Sequence, residues 1–280
     1  PPAAPEWIDA SDGAYVGFVR LSWPSLAGVS GYRIYRDGTW LASVDGETTT
    51  YDDATAPAGG APRAVTNLVA ESRTNGVALY WDAAEAPAGR TLGYAVAAVG
   101  EGGEGDRSPT DIGSRGAAAV ARYEVSVDGG AWLVPAPDSL ATSLVLNDAW
   151  VSLPRIVAGT VTASTTDPTG IRLSAEGFRA TEPLVRARVR AVSDAGEGPP
   201  SDEVQGQWLA ESLNYAWSRA ASALGPFGAP SWFGASAFDT SAVGQPAQYY
   251  ELRVSSGLLP LLTMPPVMGL VPPPPGVPTV

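Results

Sequence analysis

Val19-Arg20-Leu21-Ser22-Trp23 and, one short connection later, Gly31-Tyr32-Arg33-Ile34-Tyr35-Arg36-Asp37-Gly38 alternate between apolar and polar residues. Successive side chains of a strand point to opposite faces, so a period of two predicts half-buried strands. The closing Asp-Gly pair marks a tight turn, because these residues tolerate the positive φ that hairpin turns require. A second copy lies downstream. Val77-Ala78-Leu79-Tyr80-Trp81 repeats the first strand, and Ala121-Arg122-Tyr123-Glu124-Val125-Ser126-Val127-Asp128-Gly129-Gly130 repeats the second. The expected fold class is all-β, with two related sandwiches on one chain.

Composition agrees with that expectation. The chain has 280 residues, 45% of them hydrophobic, which is enough for real cores. Charged residues are 16%, below the roughly 25% usual in soluble proteins. Gly (32) and Pro (26) are abundant, so turns should be frequent and helices few. A net charge of −12 argues against nucleic acid or anionic lipid as partners, because phosphate contacts need a basic surface. Cys, His and Lys are all absent. Their loss removes disulfides, thiolate and imidazole metal sites, the Ser-His and Cys-His nucleophile systems and Schiff-base chemistry. No apolar run reaches the roughly 20 residues of a spanning helix, so membrane insertion is not expected. The chain begins at Pro1 without Met, and Pro1-Pro2-Ala3-Ala4-Pro5 and Pro272 to Thr279 look like stiff proline-rich linkers, so it reads as a piece of a longer array.

The two repeated strand pairs, with their core tryptophans Trp23 and Trp81, resemble fibronectin type III modules of the bacterial and bacteriophage kind, a resemblance covering roughly the first three quarters of the chain. The family's usual continuation, a strand of the type Tyr-x-Val-x-Ala-Val and a Gly-rich hairpin, comes late. It appears at Gly93-Tyr94-Ala95-Val96-Ala97-Ala98-Val99 followed by Gly100 to Pro109, after what looks like the start of another module at Ala61 to Trp81. Matching Pro-Ala-Gly triplets at Pro57 to Gly59 and Pro87 to Gly89 bracket that start. One reading interleaves the sandwiches: 5–58 with 87–112 as the first, and 60–86 with 117–206 as the second. The Tyr94 strand would then pair with the Tyr32 strand, and the Tyr123 strand with the one around Val189. The other reading keeps Tyr94 to Val99 inside the second module, as local connections would favour.

Asp148 to Thr181 falls outside the family outline; Gly159 to Ser164 and Gly170 to Ser174 alternate like an added hairpin. Residues 207–280 are expected to be an irregular aromatic and proline-rich interaction region. Leu209, Leu213, Ala216, Trp217, Ala220 and Leu224 have helical spacing, so one short helix is expected over Trp208 to Leu224. Phe227, Trp232, Phe233 and Phe238 lie in a Gly-, Ala- and Pro-rich loop and are the candidate partner interface, with stacking on a cell-surface glycan as a second use.

Other constellations carry less. Gly100-Glu101-Gly102-Gly103-Glu104-Gly105 fits the GxGxxG pattern, but two glutamates repel phosphate and no helix follows. The same loop, through Glu101, Glu104, Asp106 and Asp111, is a weak calcium candidate, set against a solvated acidic turn. Asp52 with Asp53, and Asp9 with Asp12, supply acid pairs of the type used in glycoside hydrolysis, yet neighbouring acids on a strand face apart. Arg186, Arg188 and Arg190 share one strand face, where cross-strand carboxylates would pair with them. No cofactor, catalytic residue or metal is assigned. The resemblance implies a nonenzymatic structural or adhesive component of an extracellular or virion assembly, such as a phage tail or surface fibre, with other protein chains as partners. The alternative is a carbohydrate-binding or spacer module of a secreted polysaccharide hydrolase.

Overall fold

The structure is a computed structural model that describes residues 1–136, 138–257, 259 and 261–271. Pro272 to Thr279, expected to form a linker, lie outside the described residues. By compactness the chain divides into two units, and neither is contiguous. One comprises Pro1–Val69, Tyr80–Leu144 and Ala187–Val204; the other comprises Ala70–Leu79, Val145–Arg186 and Gln205–Val280.

In the first unit the chain lays down β1 (Asp9–Ala10), β2 (Val19–Ser22), β3 (Gly31–Arg36), β4 (Thr39–Asp45) and β5 (Thr50–Asp53). Two strands of the other unit, β6 (Val69–Arg73) and β7 (Gly76–Tyr80), come next in sequence. They are followed by β8 (Leu92–Gly100), β9 (Gly103–Arg107) and β10 (Asp111–Gly113). One sheet has the order β1–β2–β5; the other has the order β10–β8–β3–β4, with β9 also on β8. The strand of Tyr94 therefore pairs with the strand of Tyr32, in the register Tyr32↔Ala98 and Arg36↔Tyr94. Alternate residues of the two sheets build one core: Val19, Leu21, Trp23, Tyr32, Ile34, Leu92, Tyr94 and Val96 are all buried in it. Leaving any of these large side chains in water would forgo roughly 1.5–3 kcal/mol.

β11 (Val120–Val127) also belongs to the first unit. Further on come β12 (Ser143–Leu146), β13 (Ile156–Val157), β14 (Thr160–Ser164), β15 (Ile171–Glu176), β16 (Arg179–Ala180), β17 (Leu184–Ser193), β18 (Gly196–Glu197) and β19 (Val204–Gln207). β11 pairs with β17, with Val125↔Val189 in register, and β18 lies on the far side of β17. The Trp-Tyr pair of the first core recurs here. Trp23 meets Tyr32 edge to face at 5.6 Å, and Trp81 meets Tyr123 in the same way at 5.6 Å. Each tyrosine hydroxyl accepts from the backbone N–H three residues after its tryptophan, Leu26 in one case and Ala84 in the other.

In the second unit β12, β7 and β6 form a sheet in that order, and residues beyond 207 are strands. β20 (Asn214–Ala220), β21 (Trp232–Phe233), β22 (Ser236–Asp239), β23 (Gln248–Ser255), β24 (Leu262–Thr263) and β25 (Val267–Gly269) complete the described chain. This corrects two expectations. The segment Trp208 to Leu224 is not a helix: residues 214–220 are strand β20, and among the described residues the one helical turn is the 3-10 turn Thr240–Ala242. The helical spacing was misleading because the inward set Tyr215, Trp217 and Arg219 also has period two. β20 is held by seven register pairs with β23, from Asn214↔Ser255 to Ala220↔Tyr249. Such cross-strand pairing overrides a weak local helical pattern.

The region beyond 207 is also not irregular. β14 and β15, expected as a decorative hairpin, pair with each other and with β22. The resulting β14–β15–β22 sheet shares a core with the β21–β20–β23–β24 sheet, to which β25 is joined through β23. Ile171, Leu173, Trp217, Tyr250, Leu252 and Val254 are buried there. This is another two-sheet sandwich, and it is assembled from chain segments on either side of β17.

Candidate functional site

The two complete sandwiches carry the same polar cluster. In the first, Asp53 at the end of β5 is fully buried. Its Oδ2 accepts from Arg36 Nη1 at 2.8 Å and from the Tyr94 hydroxyl at 3.0 Å, while Oδ1 accepts from the Thr55 N–H and hydroxyl at 2.9 and 2.7 Å. In the other, Asp239 ends β22 and is 1% exposed. Its Oδ2 accepts from Arg219 Nη1 and the Tyr250 hydroxyl, both at 2.8 Å, and Oδ1 accepts from the Ser241 N–H and hydroxyl at 2.9 and 2.6 Å. The backbone registers match too. Arg36 lies opposite Tyr94 as Arg219 lies opposite Tyr250, and Val19 lies opposite Asp53 as Ile171 lies opposite Asp239.

Burial pushes each of these carboxyls up, but the hydroxyl and arginine hydrogen bonds outweigh it and hold both below the ordinary aspartate range. The tyrosines are pushed up, by burial first and then by the adjacent carboxylate. A carboxylate so committed is a poor general acid, and its lone pairs are already filled. The cluster therefore latches one sheet of a sandwich to the other. The Asp-x-Thr and Asp-x-Ser spacings, Asp53 to Thr55 and Asp239 to Ser241, were its only trace in the sequence.

Glu124 is the third buried carboxylate with such partners. Burial pushes it up, while Arg190 and then Arg122 hold it below the ordinary glutamate range. Arg190 Nη2 lies 2.6 Å from Glu124, its Nη1 lies 2.5 Å from Glu197, and its guanidinium sits 4.6 Å from the Trp132 ring. Arg188 reaches Glu203 at 3.5 Å. Arg188 and Arg190 on the arginine face of β17 are thus paired with carboxylates.

The acidic hairpin between β8 and β9 is built for packing. A Cβ at Gly105 would strike the Pro2 carbonyl, and one at Gly102 would lie 2.7 Å from the Pro1 nitrogen. The equivalent hairpin between β17 and β18 repeats this, since a Cβ at Gly198 would lie 2.5 Å from the Pro62 carbonyl oxygen. The glycines make room for a proline-led segment laid along the hairpin. Glu104 is tied to the Tyr35 hydroxyl and to Arg33 Nη1, the latter at 2.6 Å. Asp111 Oδ2 accepts from the Ala10 N–H at 2.8 Å. Glu101 and Asp106 are exposed. Among the described residues no three His, Cys, Asp or Glu side chains gather as a metal cluster.

The four aromatic residues of the C-terminal loop separate by strand parity. Trp232 in β21 turns inward, packs on the core and meets Tyr250 at 6.1 Å. Phe233, next to it, points out and is 72% exposed. Phe238 lies outward on β22 under the Arg172 guanidinium, 5.3 Å away. Phe227 is half-buried beside Gly225, and Leu224 in the same connection is 97% exposed. Leu224 and Phe233 are the strongly exposed apolar side chains of this segment.

No family model matches the sequence, and no curated protein matches it. Among solved structures the chain is similar to the crystal structure of chicken CNTN1 FN1-FN3 domains, with 11% identity, a TM-score of 0.27, and coverage of 96% of this chain and 99% of that one.

Proposed function

We propose that this chain is a nonenzymatic structural or adhesive component of an extracellular or virion assembly, in which β-sandwiches act as spacers and as surfaces for other protein chains. The observation that carries the reading is the exposure of Leu224 and Phe233 on the connection between β20 and β22. Large apolar side chains left this far in water lose their exposed surface when another chain covers them, and that gain favours association. The nonenzymatic part is supported by the three best-buried carboxylates, each of which is committed to arginine and, at Asp53 and Asp239, to hydroxyl donors. A phage tail or surface fibre is the setting we favour, since β-sandwiches on a chain with a net charge of −12 suit a protein-binding spacer.

Sedimentation of the full chain over a range of concentrations tests the reading. Self-association that is lost in the Leu224→Ser, Phe233→Ser double variant is expected if the partner is a second copy. Limited proteolysis adds a second readout, with the first cuts expected between residues 221 and 231. A chain that stays monomeric, and whose 221–231 segment resists protease as well as the strands do, would overturn it.

A further inference from the structure

We propose that the open cleft of about 440 Å3 beside β16 and β20 is a binding subsite for a neutral pyranose ring. The cleft is lined by Phe178, Arg179, Glu182, Glu211, Leu213 and Tyr215, among others, and lies wholly within the second unit. Its apolar wall is the edge-to-face pair of Phe178 and Tyr215, whose centroids are 6.0 Å apart. Both rings, with Leu213, pack on the core formed by Trp217 and Tyr250, so the wall is rigid before any ligand arrives. The C–H face of a pyranose is apolar and stacks on aromatic surface of this kind.

The rim is polar. Among the described residues the Arg179 guanidinium makes no hydrogen bond or ion pair, and the Tyr215 hydroxyl has no hydrogen-bond partner. Glu182 uses Oε1 to accept from the Ala210 N–H at 3.2 Å, which leaves Oε2 open. The Glu211 carboxylate is turned onto Gly257, where a Cβ would strike it. Donors (Arg179, Tyr215) and an acceptor (Glu182) therefore share the cleft with an aromatic wall. Sugar hydroxyls are both donors and acceptors, and such a mixed rim suits them. An anion would meet the Glu182 carboxylate, and a purely apolar ligand would strand Arg179, Tyr215 and Glu182. The site does not depend on the assembly proposed above, because a monomer would carry it equally.

Saturation-transfer difference NMR on the full chain, with methyl glycosides of glucose, galactose and mannose as probes, tests the proposal. Saturation of ring protons is expected for at least one glycoside. Arg179→Ala and Tyr215→Phe should each weaken it about tenfold, the scale of one lost hydrogen bond to a charged or well-oriented group. Arg179 is exposed and outside the core, so its variant should melt as the parent does. Leu224→Ser, which bears on assembly, should leave glycoside binding unchanged. Absence of transfer from every glycoside, equal transfer in both variants, or stronger binding of methyl glucuronide than of methyl glucoside would overturn the proposal.

Discussion

The Tyr94 hydroxyl donates to Asp53 Oδ2 at 3.0 Å, joining a strand of one sheet to the last strand of the facing sheet. Tyr250 makes the same bond to Asp239 at 2.8 Å. Each bond removes a buried lone pair from the list of unsatisfied groups, and each tyrosine ring also fills the core. Tyr94→Phe and Tyr250→Phe keep the ring and delete the donor. Each should destabilise its own sandwich by about 1–2 kcal/mol, measured by urea unfolding. Asp53→Ala should cost more, about 3–5 kcal/mol, because it strands Arg36 and Thr55 together. A Tyr94→Phe variant as stable as the parent would show that the hydroxyl is not a latch.

Stability should depend on pH in one direction. Asp53, Asp239 and Glu124 all titrate below their ordinary values in the folded chain. Their stabilisation is complete above the unfolded carboxyl range of about 4, and is lost as pH falls through the lowered folded values. His is absent, so no imidazole titrates near neutrality. The melting temperature should be flat from about pH 8 to 5 and fall below about pH 4. A step between pH 5 and 8 in thermal scans would contradict this.

The core tryptophans should not respond alike to Trp→Phe. Trp217 Nε1 donates to the Gly234 carbonyl at 3.0 Å, whereas the buried Nε1 atoms of Trp23 and Trp81 have no hydrogen-bond partner among the described residues. Replacing Trp23 or Trp81 by Phe removes an unsatisfied donor; replacing Trp217 breaks a bond. Trp217→Phe should therefore cost about 1 kcal/mol more than Trp23→Phe in chemical unfolding. Trp23→Ala should cost about 3–5 kcal/mol, since it leaves a large cavity. Equal costs for the two Phe variants would refute the distinction.

A fragment ending at Ala58 should not fold. It contains β1 to β5 but lacks β8, which supplies Leu92, Tyr94, Val96 and Ala98 to the core and pairs with β3 along six registers. Circular dichroism and amide dispersion of that fragment should show an unfolded chain. A folded fragment would mean that the first sandwich closes without β8.

A chelator should leave the melting temperature unchanged. Glu104 is held by Tyr35 and Arg33, and Asp111 by the Ala10 N–H, so two of the four acids of the β8–β10 segment are already engaged. A clear drop on adding chelator would assign that loop a calcium ion.

The amino-acid sequence by itself determined that this chain is all-β in class, with strands and turns and almost no helix. Period-two alternation at Val19 to Trp23, Tyr32 to Arg36 and Tyr123 to Val127 is a local property, because a strand's two faces are set by neighbouring residues. The buried positions of Trp23, Trp81, Tyr32 and Tyr123 were legible for the same reason. Tertiary structure decided what local pattern cannot carry. β20 carries both a helical and a strand pattern, and only its pairing with β23 selects the strand. β14 and β15 look like a free hairpin until β22, more than sixty residues on, pairs with β15. Asp239, Arg219 and Tyr250 are scattered polar residues in the sequence, and become a latch only when two sheets bring them within 3 Å. The Phe178 and Tyr215 wall likewise joins segments that share no local signal. Cross-strand pairs and hydrogen-bonded clusters are contacts between residues distant in sequence, so their partners are chosen by the folded chain as a whole.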